Sequence, residues 1–254
     1  MNKKIIIVTG ATGGIGKEFV KQLIVENVDE VWAIARNQAK LDGLKEELGE
    51  KIVPISMDLS DVHNVDILEQ RMSEEKVTVC YLVNNAGLAK MGSYKEFSKD
   101  EIDSTIKVNC EVPVLLCKAC IPFMETGCRI INLSSASAFQ PTPYINLYAS
   151  TKVFLRSYSR SLNVELKGTG ITVTVACPSW VDTEMICHEY NGQKVKFPGI
   201  VTADRVVKKA IKDAKKGKDM SVCSFYVKCQ HLNVKIFSQK SVMRVWMRGL
   251  KKYL

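Results

Sequence analysis

Apolar positions along this chain fall into two alternating patterns. Short runs rich in Ile and Val stand at Lys3 to Thr9, Glu30 to Ala35, Lys51 to Met57, Val77 to Val83, Arg129 to Leu133 and Ile171 to Ala176. Between them lie stretches such as Gly14 to Glu26, where apolar residues return every three or four positions. Near-continuous apolar strands alternating with amphipathic helices predict a parallel sheet covered on both faces. Right-handed crossovers then make it a doubly wound α/β fold of three layers. Helix signals agree with the pattern: Ser98-Lys99-Asp100-Glu101 reads as a capping box, and a helix after Thr202 opens with Ala203-Asp204 and closes near Gly217. A last strand is expected over Asp219 to Val227.

The chain end has a different pattern. From Ser238 onward Val242, Met243, Trp246, Leu250, Tyr253 and Leu254 follow helical spacing, with Lys240, Arg244, Arg248, Lys251 and Lys252 between them. A basic amphipathic helix of this kind either packs on the domain or on another subunit, or makes a peripheral contact through 238–254 with an anionic membrane or a substrate entrance. The expected organisation is one domain over residues 1–218 and a basic extension over 219–254, packed on or beside it.

Composition narrows the classes. With 254 residues and 46% of positions apolar, the chain can bury a sizeable core, and no internal repeat or Pro/Gly/Ser linker divides it. The formal net charge of +9 is uneven: Asp204 to Leu254 hold 14 Lys and Arg against 3 Asp and Glu, the preceding residues 22 against 24. The basic segment lacks a nucleic-acid reader motif, so no nucleic-acid partner is expected. No apolar stretch approaches the roughly 20 residues of a spanning helix, and the apolar run after Lys4 is too short for a signal segment. Nine cysteines without regular spacing fit reduced thiols in a cytoplasmic compartment. Cys117 and Cys120 sit mid-helix with no partner pair, which favours core packing over a redox or metal site. No metal site is expected.

Three groups of residues carry chemistry. The first is Thr9-Gly10-Ala11-Thr12-Gly13-Gly14-Ile15-Gly16, between the first strand and the first helix. Glycines there let backbone N–H groups approach a pyrophosphate while the helix N-terminus supplies positive potential. The second is Arg36, in Ala33-Ile34-Ala35-Arg36-Asn37 at the end of the second strand. A carboxylate at that place would bind the ribose 2′-hydroxyl of NAD, whereas an arginine suits the 2′-phosphate of NADP. The third is Tyr148 and Lys152, one helical turn apart. An adjacent cation favours the phenolate, but moving a phenol by roughly three units from about 10 requires about 4 kcal/mol, more than one exposed lysine supplies. A second cation or a dry site must help.

Together these motifs resemble the short-chain dehydrogenase/reductase family, through Thr-Gly-x-x-x-Gly-x-Gly at Thr9 to Gly16, Asn-Asn-Ala-Gly at Asn84 to Gly87, and Tyr-x-x-x-Lys at Tyr148 and Lys152. The resemblance covers residues 3 to about 217 and implies a Rossmann-type fold, NADP(H) in preference to NAD(H), a small-molecule carbonyl or alcohol substrate, and a homo-oligomer. It implies that Gly10, Thr12, Gly13, Gly14, Ile15, Gly16, Arg36, Asp58, Leu59, Asn85, Ala86, Gly87, Pro178, Val181 and Thr183 line the cofactor, with Tyr148 and Lys152. Asn109, Ser135, Tyr148 and Lys152 match the catalytic positions. In that scheme Tyr148 exchanges a proton with the substrate oxygen, Ser135 hydrogen-bonds it, Lys152 lowers the phenol pKa, and Asn109 holds a water near the lysine. The oxidised nicotinamide would supply the second cation. The expected function is hydride transfer from NADPH to a carbonyl of a hydrophobic or mixed substrate. The alternative is a nucleotide-sensing or membrane-associated binding protein of the same fold, which the complete set of four argues against.

Departures from the family pattern concern specificity. Ser179 replaces a glycine in Pro178-Ser179-Trp180-Val181-Asp182-Thr183, and an Asp-Gly-Gly ending common in tetrameric members is missing. The chain is similar in this to the branch containing long-chain 3-oxoacyl reductases and 17-beta-hydroxysteroid dehydrogenases. Asp182 to Pro198 is the expected substrate-covering loop, with Phe139, Tyr144 and Trp180 either pocket walls or core.

Overall fold

Alternation within the first strand builds two layers at once. In β1 (Lys3–Thr9) Ile5 and Ile7 belong to one buried cluster and Ile6 and Val8 to another, because successive side chains leave a strand on opposite faces. The computed structural model describes residues 2–184, 186, 189–190, 193–195 and 197–251. Within them α1 (Gly14–Leu23), β2 (Glu30–Ala35), α2 (Gln38–Leu48), β3 (Ile52–Ser56), α3 (His63–Glu74) and β4 (Val77–Asn84) form the first half. The second half comprises α4 (Lys99–Ile106), α5 (Val112–Cys120), β5 (Arg129–Leu133), α6 (Asn146–Glu165) and β6 (Thr172–Ala176). A short antiparallel pair β7 (Glu189–Tyr190) and β8 (Gln193–Lys194) precedes α7 (Ala203–Lys215), β9 (Met220–Ser221), α8 (Phe225–Ile236) and α9 (Gln239–Leu250).

The main sheet has seven parallel strands in the order β3-β2-β1-β4-β5-β6-β9, so the direction of winding reverses between β1 and β4. That reversal opens a crevice at the carboxyl ends of the strands, where the candidate residues lie. Residues of α1, α2 and α7, including Phe19, Leu41 and Ala210, bury one face. The other face is covered by α3 and α5 through Leu68, Met72, Leu116, Cys117 and Cys120. Cys117 and Cys120 are fully buried there, as core packing requires. Burying one Ile or Leu contributes about 1.5–3 kcal/mol, more than the ~0–1 kcal/mol of an exposed pair such as Lys45–Glu50, so the apolar pattern holds the layers together.

Between α4 and α5 the helix widens into a π-turn at Lys107–Glu111, with the Val112 N–H donating to the Lys107 carbonyl. The π-turn lies directly before Pro113. Pro113 has no N–H, so the Asn109 carbonyl loses its α-helical donor. The capping box at Ser98 is formed, its hydroxyl accepting from the Glu101 N–H while the Glu101 carboxylate accepts from the Ser98 N–H.

The chain end departs from expectation in two ways. The last strand is only Met220–Ser221, and a helix begins at Phe225. Helical geometry lets Val227 join Phe139, Val175, Cys177 and Val222 in a separate buried cluster, which a continued strand would not reach. The apolar face of α9 turns toward the domain: the Trp246 indole N–H donates to the Pro143 carbonyl at 3.0 Å and Leu250 is buried. Residues 252–254, including Tyr253 and Leu254, lie outside the described residues, as does part of 182–198.

Candidate active site

The glycine turn is held by its neighbours' side chains. Gly10 takes a φ of +63°, and a Cβ there would stand 2.8 Å from Asn85 Nδ2 and 3.0 Å from the Ala86 Cα. The Asn85 amide donates to the carbonyls of Thr9 and Gly10, at 3.0 and 3.1 Å. In return the Thr9 hydroxyl oxygen accepts from the Asn85 and Ala86 N–H groups, both at 3.0 Å. Asn85 and Ala86 thus brace the turn from the next strand of the sheet. The sequence shows a hydroxyl residue at a strand end before a glycine turn, but its partners and its organising role come only from the fold.

Gly16 packs tightest, since a Cβ would lie 2.0 Å from the Gly10 carbonyl oxygen. Gly16→Ala should therefore destabilise the protein by about 2–4 kcal/mol and weaken dinucleotide binding, read by urea denaturation and by fluorescence titration. Unchanged stability would mean that the backbone yields at no cost. Gly14 faces Thr183, whose Cγ2 would sit 2.4 Å from an added Cβ, which brings the segment after β6 onto the start of α1. Gly13 is exposed, and an added Cβ would find no heavy atom nearer than the Gly10 oxygen at 3.7 Å. The N-terminus of α1 has no side-chain cap and no acidic residue in its first turn. Its free N–H groups and helix dipole fit a pyrophosphate, with Thr12 and Ile15 partly buried on either side of Gly13 and Gly14.

Arg36 is exposed immediately after β2, with no salt bridge among the described residues. Its charge reaches Asp58, whose carboxyl is held below the usual range first by the Ser60 N–H and also by Arg36. Asp58 accepts from the Ser60 N–H and hydroxyl, both at 2.9 Å, and Leu59 is buried beside it. Asp58 therefore closes its own turn just after β3. Lys17 on α1 is paired with Glu47 at 2.6 Å.

Lys152, Asn109 and Gly87 meet at the centre: a Cβ on Gly87 would stand 3.2 Å from Lys152 Nζ and 3.3 Å from Asn109 Oδ1. Asn109 is fully buried; its Oδ1 accepts from the Leu88 N–H at 2.8 Å, and its Nδ2 donates to the Leu88 carbonyl at 2.9 Å and to the Thr151 hydroxyl at 3.0 Å. The asparagine side chain thus ties the loop after β4 to α6. Lys152 is buried and donates to the Leu133 carbonyl at 2.9 Å, while the Ser134 hydroxyl donates to the Lys152 carbonyl at 2.7 Å. The end of β5 therefore aims the lysine, and the partnership with Leu133 and Ser134 was not legible in the sequence.

The electrostatics of the Tyr148 and Lys152 pair differ from the expected ones. Lys152 Nζ lies 5.5 Å from the centre of the Tyr148 ring, and burial depresses the lysine to about 8. Burial also raises the Tyr148 phenol, with a hydrogen bond to Ser135 acting in the opposite direction. The polypeptide alone therefore holds both groups nearer to neutral, rather than promoting the phenolate. Ser135, partly exposed at the end of β5, accepts from the Ser137 N–H at 3.1 Å.

After β6, the buried Pro178 accepts from the Ala136 N–H at 2.8 Å, and buried Val181 pairs with Val201. Serine at 179 leaves this path intact. Phe139 is core, stacked on His231 at 4.2 Å, whereas Trp180 is partly exposed and meets Phe197 at 5.0 Å. Tyr144 adopts a φ of +64°, an uncommon state for a bulky residue, and its carbonyl accepts from the Gly92 N–H at 2.7 Å. Among the described residues no cluster of side chains fits a metal ion, and no helix is long and apolar enough to cross a membrane.

The family model described as short chain dehydrogenase matches residues 4–194. The NADP-dependent 3-hydroxy acid dehydrogenase of Salmonella typhi is 32% identical over 196 residues, 76% of this chain and 79% of its own. A very-long-chain 3-oxoacyl-CoA reductase of Anas platyrhynchos is 34% identical over 190 residues, covering 70% of this chain and 60% of that protein. Among solved structures, a short-chain dehydrogenase from Sphingobium yanoikuyae in complex with NADPH aligns over 95% of both chains with a TM-score of 0.77 and 24% identity. One from Burkholderia cenocepacia in complex with NADP aligns over 86% of this chain and 94% of that one, with a TM-score of 0.74 and 26% identity. The chain belongs to the short chain dehydrogenase family, as an NAD(P)-dependent oxidoreductase with the parallel α/β sheet of that family.

Proposed function

We propose that the protein reduces a carbonyl group on an apolar or mixed small molecule, with NADPH as donor. The observation that carries this reading is the convergence of Ser135, Tyr148, Lys152 and Asn109 at the carboxyl ends of β4 and β5, next to an uncapped helix N-terminus. Gly10 to Gly16 would hold the pyrophosphate, Asp58, Leu59 and Asn85 to Gly87 the adenosine half, and Pro178, Val181 and Thr183 the nicotinamide end. A bound dinucleotide supplies the hydride. Tyr148 then donates its proton to the carbonyl oxygen, and Ser135 hydrogen-bonds that oxygen as negative charge grows on it. A phenol kept protonated by burial suits this acid role. Lys152, charged below about 8, restores the proton balance, with a water held beside it by Asn109 as the next link. The reverse reaction uses Tyr148 as base.

Cofactor choice rests on Arg36. Its guanidinium has the planar fork that matches a 2′-phosphate, and among the described residues no carboxylate is paired with it. Arg36→Ala should weaken NADPH about 10- to 100-fold while NADH changes little, read by fluorescence titration of both. Equal losses for the two dinucleotides would refute the 2′-phosphate assignment. A panel of ketones and aldehydes, followed by loss of NADPH absorbance, tests the reaction itself; no turnover on any of them would count against a reductase.

A further inference from the structure

The two C-terminal helices leave an apolar stripe facing outward that the candidate active site does not use. On α8, Phe225 is 80% exposed, Leu232 59% and Ile236 66%, and they recur with exposed Cys229 at spacings of three and four residues, so they share one helical face. Phe237, 59% exposed, continues it into the turn before α9, whose outer face carries Val245 at 67%. The opposite face of α8 is spent on the domain: Val227 is fully buried, His231 stacks on Phe139, and Gln230 bonds Gln140. The outward stripe is therefore additional to the face that holds the helix in place.

Charge says what kind of surface it meets. Met220 to Leu254 contain seven Lys and Arg and no Asp or Glu. Lys228 and Lys235 flank the stripe on α8, and Lys240, Arg244, Arg248 and Lys251 are exposed in the α9 segment. Among the described residues none of these six is paired with a carboxylate. A second copy of this chain would press one set of cations against another, so a self-contact through this face is disfavoured. Anionic lipid satisfies both features: apolar side chains enter the acyl boundary while lysine and arginine stems extend to the phosphates.

We propose that the α8 and α9 pair seats on an anionic lipid surface, with Phe225, Leu232 and Ile236 inserted and the flanking cations at the headgroups. This replaces the apolar face of α9 as the membrane contact, because that face is turned inward onto Pro143. His231 and Trp246 touch residues 139 and 143, in the chain between Ser135 and Tyr148, so seating brings that side of the candidate active site to the bilayer. Resting on the reductase reading, the favoured substrates are carbonyl compounds that partition into lipid.

The test uses the full chain sedimented with vesicles of phosphatidylcholine alone or mixed with phosphatidylglycerol. Binding is expected with the mixed vesicles only and should fall with added salt. The triple variant Phe225→Ser, Leu232→Ser, Ile236→Ser should partition about tenfold less or weaker, and Lys228→Glu with Lys235→Glu should do the same. NADPH binding without vesicles reports the fold of each variant and should be unchanged. No sedimentation with anionic vesicles, or equal partition by the triple variant, overturns the proposal. So does light scattering that finds a dimer in the parent chain and a monomer in the triple variant, or vesicle-independent capture of an acidic protein partner through the stripe. Turnover of a water-soluble ketone without lipid is measured separately, so failure of the lipid contact and failure of the reductase reading are told apart.

Discussion

Tyr148→Phe should lower kcat for carbonyl reduction by about 10³-fold, within the range for loss of a general acid, while NADPH affinity stays within a few-fold of the parent. The substitution removes one oxygen and keeps the ring, whose centre lies 5.5 Å from Lys152 Nζ. The phenol is the group in this constellation able to give a proton to a carbonyl oxygen near neutral pH. Ser135 offers only a hydroxyl that is a far weaker acid, and Lys152 is turned to the Leu133 carbonyl. Steady-state reduction and direct cofactor titration separate chemistry from binding. An unchanged kcat would take the tyrosine out of the mechanism, and lost cofactor binding would give it a structural role instead.

Lys152→Met should cost activity and at the same time stabilise the cofactor-free protein. Burial lowers the lysine from about 10.5 to about 8, so at pH 7 the folded chain carries an ammonium it has desolvated. In the window between about 8 and 10.5 the unfolded chain holds a proton that the folded chain has released, so this group's stability term rises with pH. It is fully present above the unfolded value and lost as pH falls through the folded one. Removing the amine should therefore raise stability near neutral pH by about 1–3 kcal/mol and flatten the difference from the parent above that window. Urea denaturation at several pH values checks this, with kcat expected to fall about 10²-fold or more as proton return fails. A variant less stable than the parent at neutral pH would show that the bond to Leu133 outweighs the buried charge.

These two expectations show how far the residues could be read before the fold. The Tyr148 and Lys152 spacing announced a phenol and an amine on one helix, and one exposed lysine is too little to make the phenolate. Which way each group moves was not legible, because desolvation depends on everything packed around α6. The same division holds at Asn109. The motif match marked Asn109 as a site residue, but the π-turn and the bonds to Leu88 and Thr151 follow from how the loop after β4 meets α6. At the chain end the helical spacing found α9, yet it did not say that Trp246 faces Pro143, and a strand was expected over Asp219 to Val227 where a helix begins at Phe225.

By itself the sequence determined the alternation of strands and helices, the glycine turn, and the identity of the groups near the site. Those are local properties: periodicity, backbone freedom and side-chain chemistry are fixed by neighbours within a turn or a strand. Tertiary structure alone decided that Thr9 and Asn85 brace the turn, that β5 aims Lys152, and that the outward stripe lies on α8. Each of those depends on contacts between residues far apart in the chain, and on burial, which sets whether a charge is solvated and which face of a helix is left over.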